Sequence, residues 1–297
     1  MKSSKIAKRG QKAYIYILPW LIGLLVLQLY PFIASFIYSF TNYNAFGKMN
    51  FIGLDNYIKL FTKDREFYKS IGVTLKYTLL TVPGKIILSL AVAVMLNKAR
   101  KGIGIMRTIF YLPSLFGGSI AIALLWKLLF MDSGLINSIL NFFRISSISW
   151  LGDPKVSLVT LSSLEIWQFG SSMVMFLAAL KQVPQSLYEA AGIDGANRAQ
   201  AFFRITFPQI TPILFFTIIM QTINALQNFT SAFVITKGGP VKSTYMLGLK
   251  LYNDGFAYYK MGYASASSWI IFMLILVITL ILFGTQRYWV FYEDEVK

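Results

Sequence analysis

The chain contains neither cysteine nor histidine among its 297 residues. The first absence removes disulfides, thiolate metal ligands and thiolate nucleophiles. The second removes the usual acid/base group of neutral pH and the commonest metal ligand. Carboxylates are scarce as well. Asp and Glu total 12 against 28 Lys and Arg, and only 13% of residues are charged, where a soluble domain carries roughly a quarter. No Gly-x-x-x-x-Gly-Lys-Ser/Thr run occurs, so no P-loop cradles a nucleotide's phosphates. No catalytic residue, metal site or cofactor is expected.

What remains is apolar: 56% of residues are hydrophobic and the mean hydropathy is +0.59. The runs are too long for barrel strands, which makes this an all-α integral membrane protein. Six stretches reach the roughly 20 residues that cross a bilayer. They lie within Tyr14–Phe40, Ile71–Leu96, Thr108–Phe130, Val156–Leu180, Thr211–Ile235 and Tyr263–Gly284. No soluble domain fits between them, so residues 1–297 read as one membrane domain with a basic tail at 1–13. The tail carries Lys2, Lys5, Lys8, Arg9 and Lys12, like a signal peptide. The run Ala13 to Phe40 is too long for a signal core and lacks an Ala-x-Ala site, so it predicts an uncleaved first span. The formal net charge of +16 sits largely near span ends, where anionic lipid headgroups, and not nucleic acid, are the partner.

Orientation follows from Lys and Arg near the span ends. With the N-terminus inside, inner segments hold 14 and outer segments 11. The excess is small, but Lys98, Arg100, Lys101 and Arg107 crowd a short inner segment. Six spans place both termini in the cytoplasm.

Between the fourth and fifth spans lies a polar island, residues 184–208. Pro184 suits a helix's first turn, Gly195 can take a positive φ, and Pro208 cannot continue a helix from within. The island predicts two short helices about a glycine corner. Ala190 and Ala191 leave a smooth face, with Glu189 and Asp194 beside it and Arg198 and Arg204 beyond.

Polar residues inside spans are costly unless they face protein or water. On a continuous helix Thr217, Gln221, Asn224, Asn228 and Ser231 share an arc of about 80°, opposite Ile218, Ile219, Leu226 and Phe229. Glu165, Gln168 and Ser172 share about 60° on the preceding span. Such amides and hydroxyls suit sugar hydroxyls, with Phe229, Phe233 and Trp167 available to stack on sugar faces. The same residue types also glue helices together. Glu165, the sole carboxylate within a predicted span, either lines a wet cavity or pairs with Lys85 beside Pro83 and Gly84. Lys76 and Lys127, near span ends, are expected to snorkel.

The spacing Glu189-Ala190-Ala191, then Gly195, Ile205 and Pro208, resembles the cytoplasmic coupling loop of permease subunits in bacterial ATP-binding-cassette importers. Leu180 to Pro184, Tyr188 and Ile193 to Ala196 look like the carbohydrate branch, with Phe207 standing where that family usually has Leu. The likeness extends to Phe51 to Tyr57, Phe67, Thr74, Arg107, Tyr111-Leu112-Pro113, Trp126, Gly134 to Asn137, and Thr236 to Pro240 with Thr244. The ending Arg287 to Tyr292, an interfacial aromatic cluster, resembles the first of two paired permeases. The resemblance implies a carbohydrate importer in the bacterial cytoplasmic membrane. Its partners would be a second permease in a heterodimer, a cytoplasmic ATPase dimer and an extracytoplasmic solute-binding protein. Glu189, Ala190, Ala191, Asp194 and Gly195 would couple to the ATPase. Glu165, Gln168, Ser172, Gln221, Asn224 and Asn228 would line the pathway. The alternative is an ion-coupled secondary sugar transporter, which predicts inverted repeats and midplane carboxylates. No repeat is evident, and only Glu165 could serve. A membrane enzyme lacks its catalytic groups, and a channel gives the polar island no purpose.

Overall fold

A proline inside a helix removes a hydrogen bond and crowds the carbonyl four residues back, yet Pro31, Pro83, Pro208 and Pro212 lie within helical crossings, and at two of them the backbone shows how. In the computed structural model, which describes residues 16–44, 46–47, 49–98 and 102–292, the first helix α1 runs Tyr16–Ser39 through Pro31. It widens to a π-turn at Leu24–Leu29, where the Tyr30 N–H reaches Leu25 O. A similar π-turn, Phe202–Thr206, precedes Pro208, with the Phe207 N–H on Phe202 O. Widening the turn separates the pyrrolidine ring from the carbonyl four residues back. The helix therefore passes through Pro208, contrary to expectation.

The remaining helices are α2 (Asp55–Thr62), α3 (Arg65–Leu96), α4 (Ile103–Leu115), α5 (Ile120–Phe130), α6 (Leu135–Phe142), α7 (Ser157–Trp167), α8 (Gly170–Gln182) and α9 (Gln185–Ile193). They are followed by α10 (Arg198–Leu226), α11 (Leu247–Tyr252) and α12 (Met261–Gln286). Five stretches among the described residues can cross a membrane: α1, α3, Ile120–Phe142, α10 and α12. The pair α7 and α8, bent by 46°, makes the sixth. The chain is all-α, as composition predicts. The basic tail at 1–13, Arg100, Lys101 and Lys297 lie outside the described residues.

Three expected spans differ in detail. The third, read as Thr108–Phe130, is interrupted at Phe116–Ser119, where Gly118 has φ +72°. The fourth is interrupted at Gln168 and Phe169. The fifth starts earlier, at Arg198, is interrupted at residues 227–229 and resumes through a π-turn at Ala232–Thr236, close to its expected end. Hydropathy registers total apolar length and is blind to such breaks.

The contacts divide the chain into two units. One holds the residues up to Asp64 with Leu251–Phe272. In it Trp269 packs on Phe32 and Phe36, at 4.8 and 4.7 Å between ring centres. Buried Asn56 donates to Ser39 O and Thr41 O at 2.9 and 2.8 Å, fixing the turn after α1.

The other unit holds Arg65–Lys250 with Met273–Lys297. Its axis is α3, which packs against α7, α8 and α10. Tyr77, Leu161, Met173, Phe176 and Ile210 are fully buried there. Arg107 donates to Leu96 O at 3.0 Å, satisfying a carbonyl at the end of α3. Asn137 ties the loop after α5 by donating to Asp132 O and Ile148 O, and the Trp150 indole donates to it. The chain turns at Gly238 to Pro240, with Gly238 at φ +84° and the Thr244 hydroxyl donating to Gly239 O at 2.7 Å. The C-terminal aromatic cluster does more than sit at an interface. Val290 is buried against Phe215 and Ile219, and Phe291 N–H donates to the Thr211 hydroxyl at 2.9 Å.

Candidate functional site

All three breaks open onto one cavity of about 390 Å³ in the second unit, within the range of small-molecule sites. Gly117, Gly118 and Ser119 reach it from the first break, Gln168 from the second, and Gln227, Asn228, Thr230 and Ser231 from the third. Irregular backbone survives at membrane depth where it lines a cavity or is buried in protein.

Glu165, Gln168, Gln221, Asn224 and Asn228 line this cavity. Ser172 does not appear in its wall. It is buried and accepts a hydrogen bond from Gln221 Nε2 at 3.1 Å, so it holds that amide in place. The helical arc that put Ser172 beside Glu165 assumed continuity across Gln168, and the 46° bend removes it. Ser171 lines the wall instead. Thr217 is also turned away, its hydroxyl bonded to Ile213 O at 2.7 Å.

Asn228 and Ser231 lie beyond the end of α10, off the helical stripe. They reach the cavity because the chain unwinds. The Ser231 hydroxyl donates to Asn228 Oδ1 at 2.5 Å, and Asn228 Nδ2 donates to the fully buried Tyr77 hydroxyl at 3.1 Å. Unwinding also carries Phe229 from the apolar face into the cavity wall, with Phe233 stacked on it at 5.0 Å. Trp167 goes elsewhere, against Trp126 at 5.4 Å.

Both readings of Glu165 hold together. It lines the cavity and accepts from Lys85 Nζ at 2.6 Å. Lys85 is the more buried partner, with 6% of its side chain exposed against 23% for Glu165. A Cβ at Gly84 would meet Ile166 Cδ1 of α7 at 2.6 Å, the tip of a side chain that can turn aside. Lys85, Ser114, Gln227 and Thr230 are wall residues that helical periodicity did not select. The Gly117-Gly118 pair was the readable sign of the first break. The cavity thus offers amides, hydroxyls, one aromatic face and one ion pair, which is chemistry for holding a neutral polyhydroxylated molecule.

The polar island folds as a rigid corner. Helix α9 begins after Pro184, which takes the N-cap position instead of the first turn. At its end Gly195 has φ +76°. The Ala196 N–H donates to Ala191 O at 2.9 Å and the Gly195 N–H to Gly192 O at 3.2 Å, a Schellman cap. Asn197 and Gln200 then form a reciprocal capping box at the start of α10. The Asn197-x-x-Gln200 spacing is the sequence sign of this box. Tyr188 and Thr206 hydroxyls, 2.7 Å apart, tie α9 to the π-turn of α10. None of the nine residues of α9 is buried. Glu189, Ala190, Asp194 and Gly195 are exposed and Ala191 is half-buried. Apolar Ile193 is 89% exposed and Phe203 68%.

Residues 85–290 match the family described as the inner membrane component of binding-protein-dependent transport systems. A probable ABC transporter permease, YesP of Bacillus subtilis, is 47% identical over 99% of this chain and 96% of its own. A trehalose/maltose transport system permease, MalF of Thermococcus litoralis, is 34% identical over 96% of this chain and 97% of its own. The structure is similar to a chain of a bacterial ABC transporter that imports the acidic polysaccharide alginate. That match has a TM-score of 0.83 and 25% identity, and it covers 100% of both chains.

Proposed function

The chain belongs to the family of inner-membrane components of binding-protein-dependent transport systems, and from that premise we propose that it is the permease subunit of an importer for a sugar or oligosaccharide. ATP hydrolysis falls to a separate cytoplasmic subunit, and a solute-binding protein delivers the sugar from outside. A related transporter has been captured with an alginate pentasaccharide-bound periplasmic protein, which supports such a partner here. The sugar passes the cavity lined by Glu165, Gln168, Gln221, Asn224 and Asn228. A second, related permease completes the pathway as a heterodimer. Both termini and the 184–208 segment face the cytoplasm.

The observation that carries this reading is α9, a helix with no buried residue, bolted at both ends to crossings that line the cavity. An exposed Ile193 beside Glu189 and Asp194 is a surface that wants a partner. The ATPase docks there, and the Schellman cap and capping box pass its movement on as a rigid lever. In the assembled complex, Glu189→Lys reduces ATPase binding and uptake at least tenfold while leaving the permease in the membrane. Unchanged uptake from Glu189→Lys contradicts the coupling role.

A further inference from the structure

The break in the fourth crossing lies directly between cavity and lever. Helix α7 ends at Trp167, and α8 starts at Gly170 and runs to Gln182, three residues before α9 begins. A break at membrane depth frees backbone carbonyls that water does not reach. Phe169 O, which accepts the first backbone bond of α8 from Met173 N–H at 3.0 Å, takes a second hydrogen bond from outside its own helix. The Ser89 hydroxyl, fully buried on α3, is shared between Lys85 O at 2.5 Å and Phe169 O at 3.2 Å. One helical turn earlier on the same face of α3, Lys85 holds Glu165, the residue three positions before Gln168. On the other side, Gly170 lies against α4 so closely that a Cβ would meet Phe110 O at 2.5 Å and Tyr111 Cα at 2.7 Å. The bend is therefore tied on the α7 side by an ion pair and at its centre by one shared hydroxyl, while α8 meets α3 through closely packed apolar side chains such as Met173 and Phe176, with no ion pair among the described residues.

We propose that Lys85 and Ser89 are positioning residues for transport: they fix α7 and the 168–169 break against α3, so that α8 pivots about the break when the α9 lever moves. This rests on the reading of α9 as the ATPase-docking element. The pivot converts lever movement into a change at Gln168 and at the Gln221–Ser172 hydrogen bond, which braces the wall residue Gln221 of α10 against α8. The Phe169 O contact is the longer of the two Ser89 hydrogen bonds and is the one that yields.

The absence of cysteine makes the pivot measurable. Spin labels at Val159→Cys on α7 and Ala178→Cys on α8, both exposed positions, report the bend within the full transporter complex in lipid. A change of about 20° moves Ala178, about 12 Å along α8 from the break, by about 4 Å. The label distance is expected to shift by that order between the nucleotide-free complex and the complex trapped with ATP and vanadate. Ser89→Ala, which touches no cavity wall, is expected to leave assembly intact and to lower sugar imported per ATP hydrolysed about tenfold. An intact, hydrolysing complex whose label distance does not change overturns this proposal alone, as does a Ser89→Ala complex with the parental import-to-hydrolysis ratio. A purified complex holding no ATPase overturns the docking reading and this proposal with it.

Discussion

Removing Lys85 alone strands the Glu165 carboxylate inside the bundle, where a partnerless charge costs about 3–5 kcal/mol. Removing both charges leaves no such debt. Lys85→Met is therefore expected to lower the thermal midpoint of the purified complex sharply, while Lys85→Met/Glu165→Gln recovers most of it. Equal destabilisation by the two variants contradicts the pairing. Gly170 offers a second test at this scale. A methyl there meets backbone, not a pliable side chain, so Gly170→Ala is expected to cost about 1–3 kcal/mol by overpacking, read as loss of folded protein on heating. The identities of Lys85 and Glu165 were legible because charges in an apolar run stand out. Ser172 was misplaced because its position was inferred from helical phase. Phase is lost at Gln168, and a serine that braces Gln221 looks the same in sequence as one that faces the cavity.

Helix α9 owes its shape to a few residues: Gly195 for the left-handed corner, Asn197 and Gln200 for the next cap. Gly195→Ala forces a positive φ on an alanine, at about 1–2 kcal/mol, and Asn197→Ala removes a cap worth about 1 kcal/mol. Each change is expected to expose Arg198 to trypsin faster and to reduce uptake several-fold while ATPase binding persists. Cleavage at the parental rate contradicts the rigid corner. This corner was readable because its rules are local: glycine at the turn and polar residues at the boundary. The breaks in the third, fourth and fifth crossings were not readable in the same way. They depend on what lies opposite, as Gly170 depends on α4 and Asn228 on Tyr77 of α3. Pro208 misled in the other direction, because a π-turn ahead of it, like the one ahead of Pro31, absorbs the ring and leaves no sign in sequence.

For the whole molecule, an all-helical chain of six crossings followed from composition and run length alone. The assembly did not, since neither partner permease nor ATPase leaves a mark on hydropathy; the resemblance of the 184–208 segment supplied that expectation. The central claim is that α9 is where an ATPase pushes on this chain. Because the chain has no native cysteine, a single Ile193→Cys carrying a photo-crosslinker addresses it in membranes holding all subunits of the transporter. The account predicts that the free thiol, before the crosslinker is attached, is shielded from membrane-impermeant thiol reagents added outside. On illumination the attached crosslinker joins the permease to the nucleotide-hydrolysing subunit. Labelling from the outer side, or a crosslink to the solute-binding protein in place of the ATPase, contradicts it.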